Sequence, residues 1–132
     1  MKKYKLIEPY KKDNKTNLAF TIGKSGVYLI YKKGSTKPVY IGQSGSDIYK
    51  TILRHFQSWE DSTQIRITYP KFGYMVRVVF CTKAQALKLE KALIIKHKPQ
   101  DNPSKYLNYT LSLDEIKTEQ DLTGLSFLEP PF

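Results

Sequence analysis

Two β-rich runs around a turn constrain this chain more than any other feature. Gly26-Val27-Tyr28-Leu29-Ile30-Tyr31 and Val39-Tyr40-Ile41 flank Lys33-Gly34-Ser35-Thr36, a stretch with turn chemistry. Together they predict an antiparallel hairpin with a loop of several residues. Pro38 lacks an amide donor, which suits a sheet edge or the start of the second strand.

Helical periodicity takes over after the hairpin. Gly42-Gln43-Ser44-Gly45-Ser46-Asp47 reads as a loop, with Ser46 or Asp47 placed to cap the next helix. Ile48, Ile52, Phe56 and Trp59 recur at helical spacing, which predicts a helix from about Ile48 to Ser58. Residues 60–72 read as a polar loop, with Gln64 to Thr68 an option for a short strand. Tyr74 to Cys81 predicts a strand. Thr82 opens a second helix, and Gln85 completes a capping box. Lys96, His97 and Lys98 crowd its last turn, where cations oppose the negative end of the helix dipole, and Pro99 stops it. A short helix is expected near Leu113–Glu119. The order β-β-α-β-α predicts an α+β fold: a small, three-stranded, mainly antiparallel sheet flanked by helices. Residues 1–22 read as a basic arm or loosely packed lead-in, residues 23–103 as the domain, and residues 104–132 as an extension packing on it or trailing from it. That extension mixes Tyr106 and Tyr109 and ends in an extended Pro130-Pro131-Phe132.

Composition narrows the function. With 132 residues there is room for one domain, and 40% apolar residues exclude a disordered chain. Twenty-two Lys and Arg against 12 Asp and Glu leave a net charge of +10. On so small a surface that excess favours a polyanionic partner, nucleic acid first. The competing reading is a generally basic soluble surface, or a translation-associated RNA-binding protein. Cys81 is the single cysteine, which excludes an intrachain disulfide and a cysteine-based zinc site. A half-buried, reduced thiol in a cytoplasmic protein is expected. The start lacks the apolar run of a signal peptide, and no stretch approaches a membrane span.

One residue breaks the pattern of the second helix. Glu90 shares a face with Ala86, Leu87, Leu93 and Ile94, its neighbours at helical spacing. A carboxylate in an apolar stripe is costly unless something pairs with it. Either a buried cation or a water-facing edge answers that cost, or the carboxylate holds a hard metal ion.

Gly26-Val27-Tyr28 and Tyr40-Ile41-Gly42 lie on the paired strands with eleven residues between Tyr28 and Tyr40. In this spacing, and in the order of its downstream elements, the chain resembles the GIY-YIG nuclease family. That family includes homing endonucleases, some restriction enzymes and a nuclease module of bacterial excision repair. The agreement extends through a basic helix, Leu89-Glu90 in a long helix, then Pro99 and Asn102, and covers roughly residues 24 to 103. The resemblance implies a metal-dependent DNA endonuclease. Tyr28 would help activate the attacking water beside Tyr40, Glu90 would hold one Mg2+ or Mn2+ ion, and Asn102 would support the site or the substrate.

The chain departs from the family at one position. Members usually carry an arginine four residues before a His-Phe or Tyr-Phe pair. His55-Phe56 supplies the pair, but Thr51 stands where the arginine is expected. An ungapped alignment puts Lys50 there instead, at the cost of sending Asp47 and Thr51 to core positions. Arg54, one turn beyond Thr51, is the expected substitute cation. His55 or Lys50 is expected to assist the phenol, which is a poor base by itself at neutral pH. Lys24, Lys32, Lys33, Lys37, Lys71, Arg77, Lys96, Lys98 and Lys105 are expected to meet backbone phosphates without reading sequence. No target-choosing domain fits, so specificity is expected to come from branched DNA geometry or a protein partner. The alternative is a catalytically silent nucleic-acid-binding module on the same fold, for which Thr51 is the best support.

Overall fold

A computed structural model describes residues 6–13, 15–56, 68–102 and 111–123. Strand β1 (Gly26–Lys32) lies at the centre of a three-stranded antiparallel sheet, between β2 (Pro38–Ser44) and β3 (Tyr74–Phe80). That central place explains its composition: Val27 through Tyr31 are all buried, because both faces of the strand are covered. Val27, Leu29 and Tyr31 join a cluster with Ala86, Leu89, Leu93 and Ile94 of helix α2 (Lys83–His97) and Leu122 of helix α3 (Leu113–Thr123). Tyr28 and Ile30 point the other way, to Ile48 and Ile52 of helix α1 (Ile48–Arg54). Burying each such aliphatic side chain contributes ~1.5–3 kcal/mol. The predicted α+β class and element order therefore hold. Among the described residues, no helix is long and apolar enough to cross a membrane.

Pro38 opens β2, which is an edge strand, as its missing donor requires. The outer edge of β2 is not left bare. The Asp101 amide donates to the Val39 carbonyl at 2.9 Å, and the Asn102 side chain bonds both backbone groups of Ile41. The chain leaving α2 thereby closes the sheet edge that carries Tyr40.

Several local expectations change. Helix α1 ends at Arg54 rather than near Ser58, because the His55 and Phe56 amides turn back to Ile52 and Leu53 in a tightened last turn. The His55 carbonyl is then taken by the Tyr69 amide at 2.6 Å, where a continuing helix would have used it. Trp59 and residues 64–67 of the optional strand lie outside the described residues, as do Lys105, Tyr106, Tyr109 and the Pro130-Pro131-Phe132 end. Asp47 occupies the N-cap position of α1, but its carboxylate accepts from the Gly23 amide instead of capping the helix. The Thr82–Gln85 capping box on α2 forms as expected. Helix α3 runs four residues past Glu119, to Thr123, and packs on α2.

The lead-in is more firmly held than its polar composition implies. Ile7 exchanges two backbone hydrogen bonds with Val76, each 2.8 Å, and Tyr10 and Leu18 are buried against the α1 face. Two of the expected phosphate-binding cations are also spent internally. Arg77 is buried with its guanidinium over the Tyr31 ring, and Lys96 pairs at 2.8 Å with the buried Glu119.

The sequence predicts His97 as a charged cap of α2, and the structure corrects this. It stands two turns after Glu90, and its Nε2 is buried without a hydrogen-bond partner among the described residues. Burial, with the Lys96 and Lys37 charges adding to it, lowers its pKa from 6.5 to about 4, so the ring is neutral at pH 7. The unfolded imidazole takes up its proton first as pH falls. Stability is therefore intact above pH 6.5 and drains away between about 6.5 and 4. His97→Leu should show a shallower fall of its urea midpoint than wild type across that window. Equal slopes for the two proteins would refute the assignment.

Candidate active site

The site forms where the Tyr28 side chain crosses the hairpin. Tyr28 pairs with Gly42 across β1 and β2, and its phenol passes directly over that glycine. A β-carbon at position 42 would sit only 2.3 Å from Tyr28 Oη, so glycine here makes room for the ring. Beyond it, Tyr28 Oη meets His55 Nε2 of the α1 C-cap at 2.9 Å. Tyr40 closes the group, its ring 6.2 Å from that of Tyr28 and 4.5 Å from the imidazole. Tyr28, Tyr40 and His55, named from three separate segments of sequence, are thus brought together.

Glu90 stands on α2, near enough to act electrostatically on Tyr28. It is only 4% exposed, within a stripe of Ala86, Leu89, Leu93 and Ile94, while Leu87 turns outward at 48% exposure and drops out of that stripe. Its charge is felt at Tyr28. Burial above all, then Tyr40, Glu90 and Tyr69, holds the Tyr28 phenol well above its usual pKa. Tyr28 is consequently a protonated phenol at neutral pH, able to pass a proton on but not to wait as a phenolate.

Asn102 lies behind the cluster. Its Oδ1 accepts from the Ile41 amide at 3.0 Å and its Nδ2 donates to the Ile41 carbonyl at 3.1 Å. Both ends of the amide are thereby engaged on the residue between Tyr40 and Gly42. Lys50 and Arg54 are exposed on α1, and Thr51 donates its hydroxyl to the Asp47 carbonyl at 3.3 Å. The position at which an arginine is expected thus carries a neutral side chain turned back on its own helix.

A profile of the UvrC-like GIY-YIG domain matches residues 24–103, more than half of the chain. The chain belongs to the GIY-YIG family. No curated protein matches it. The family is one of nucleases, and the matched span contains Tyr28, Tyr40, Arg54, His55 and Glu90, the residues expected from the sequence to carry the chemistry.

Sequence reasoning missed two members of this GIY-YIG site. Tyr69 is buried with its ring 6.4 Å from His55, and its hydroxyl donates to Asp101. Burial first, then that carboxylate, raises its pKa far above the ordinary tyrosine value. It therefore serves as a donor that ties the loop after α1 to the Asp101-Asn102 strap. A lone tyrosine between a polar loop and Pro70 carries no periodic signal, whereas Asp101 beside Asn102 offered a hint. Among the described residues, no group of three or more His, Cys, Asp and Glu gathers to hold a metal.

Proposed function

We propose that the chain is a divalent-metal-dependent endonuclease that hydrolyses DNA phosphodiesters at the Tyr28–Tyr40–His55–Glu90 cluster. The observation that carries this reading is the 2.9 Å Tyr28–His55 bond beside Tyr40 in a GIY-YIG domain. Water placed against Tyr28 Oη loses its proton to the phenol oxygen as the phenol proton passes to His55 Nε2. The imidazole is thus the base and the phenol its relay, which resolves the difficulty that a raised phenol pKa poses for Tyr28 acting alone. The hydroxide attacks phosphorus, and the bond to the leaving oxygen breaks.

Glu90 is the residue that would hold the metal. A single buried carboxylate fits Mg2+ or Mn2+, since a hard ion of this kind keeps several waters and takes the rest of its ligands from phosphate oxygens. When bound, the ion supplies positive charge to the oxygens on which negative charge grows. Arg54, and Lys50 one turn before it, are assigned to the phosphate from the exposed side of α1. Asn102 positions Tyr40 and Gly42 through Ile41. The exposed lysines add binding to the DNA backbone that weakens as salt rises.

Supercoiled plasmid and branched duplex DNA, incubated with wild type and Mg2+, should be nicked, and EDTA should stop the reaction. His55→Ala should slow it by about 10²-fold with DNA binding retained, the usual loss on removing a general base. Absence of cleavage on every substrate, with binding intact, would sink the enzyme and leave the silent binding module that the neutral Thr51 favours.

A further inference from the structure

A second basic surface adjoins the site. A cavity of about 200 Å³ is lined by Lys12, Lys33 and Lys71 together with Tyr10, Phe72 and Tyr74. Among the described residues its only acidic lining residue is Glu8, paired with Lys33 at 3.1 Å in a solvent-exposed bridge. Lys71 lies over the face of Tyr10, with Nζ 5.1 Å from the ring centre. At the rim, Gly73 adopts a φ of +94°, a left-handed turn open to glycine, as the chain enters β3. Phe72 beside it is 52% exposed, which leaves its ring accessible.

One intervening ring links the wall of the cavity to the catalytic group. Its Tyr74 ring lies 4.8 Å from the Tyr69 ring, and Tyr69 is the neighbour of His55. A row of aromatic rings therefore runs from the imidazole to the lysine-lined hollow.

We propose that this hollow binds a single-stranded DNA segment flanking the cut, with phosphates on Lys12 and Lys71 and an unpaired base stacked on Phe72. Lysines interleaved with an accessible ring are what a single strand requires. Its charge needs cations, and its bases offer flat faces that a duplex keeps hidden in its own stack. This deepens the nuclease reading and rests on it for the position of the cut. It implies a preference for branched or flapped substrates.

The test is equilibrium binding in EDTA, so that no cleavage intervenes, with labelled oligothymidylate and a blunt duplex as probes. Phe72→Ala should weaken oligothymidylate binding about tenfold, in the range for loss of one stacked base. It should leave duplex binding and duplex cleavage within about twofold of wild type, and Phe72→Trp should restore the single-strand affinity. If Phe72→Ala binds oligothymidylate like wild type, or loses as much affinity for the duplex, the proposal is overturned. The two readings fail separately: a protein that binds through Phe72 but never cuts refutes the nuclease, and one that cuts with Phe72 irrelevant refutes the hollow.

Discussion

Glu90→Gln will lower the metal-dependent cleavage rate by at least about 10³-fold. The size follows from removing the one charge proposed to fix the metal, which stabilises the transition state by several kcal/mol. Glu90 is 4% exposed in an apolar stripe, where a carboxylate is held at a desolvation cost. Single-turnover cleavage over a range of Mg2+ concentrations measures the effect. Cleavage by the variant within about tenfold of wild type would remove Glu90 from the metal site.

The same stripe shows why part of this site was legible in the sequence. Glu90 stood out because helical periodicity makes a misplaced charge visible. Tyr28, Tyr40 and Gly42 stood out because two strands joined by a short turn must pair, and their spacing then carries meaning. The Thr82–Gln85 box was legible because capping is local chemistry. What could not be read depends on contacts distant in sequence. Ile7 finds Val76 on the sheet, and Tyr69 finds Asp101 across the exit from α2. His97 belongs to the second group. Three consecutive basic-type residues at a helix end pointed to a solvated cap, whereas the fold turns the imidazole inward and Lys98 takes the exposed left-handed C-cap position.

Gly42→Ala should be nearly as damaging to catalysis as removing the Tyr28 hydroxyl itself. The added methyl would meet Tyr28 Oη at 2.3 Å and Cζ at 2.4 Å, well inside van der Waals contact. Tyr28 is buried at the centre of its cluster and has only two side-chain torsions, so the ring yields by tilting away from β2. That tilt breaks the 2.9 Å bond to His55, which is the relay on which the proposed mechanism runs. Cleavage should fall by about 10²-fold, as for loss of acid–base assistance, with a stability cost of ~1–3 kcal/mol from overpacking. Tyr28→Phe should lose a similar factor for the same reason. Because both changes disable one relay, their effects should not multiply: the double variant should cut no more than a few-fold slower than either single one. Single-turnover rates for the three variants decide the matter. A Gly42→Ala protein that cleaves like wild type, or a double variant whose losses multiply, would mean that the phenol–imidazole bond is not the path of the proton.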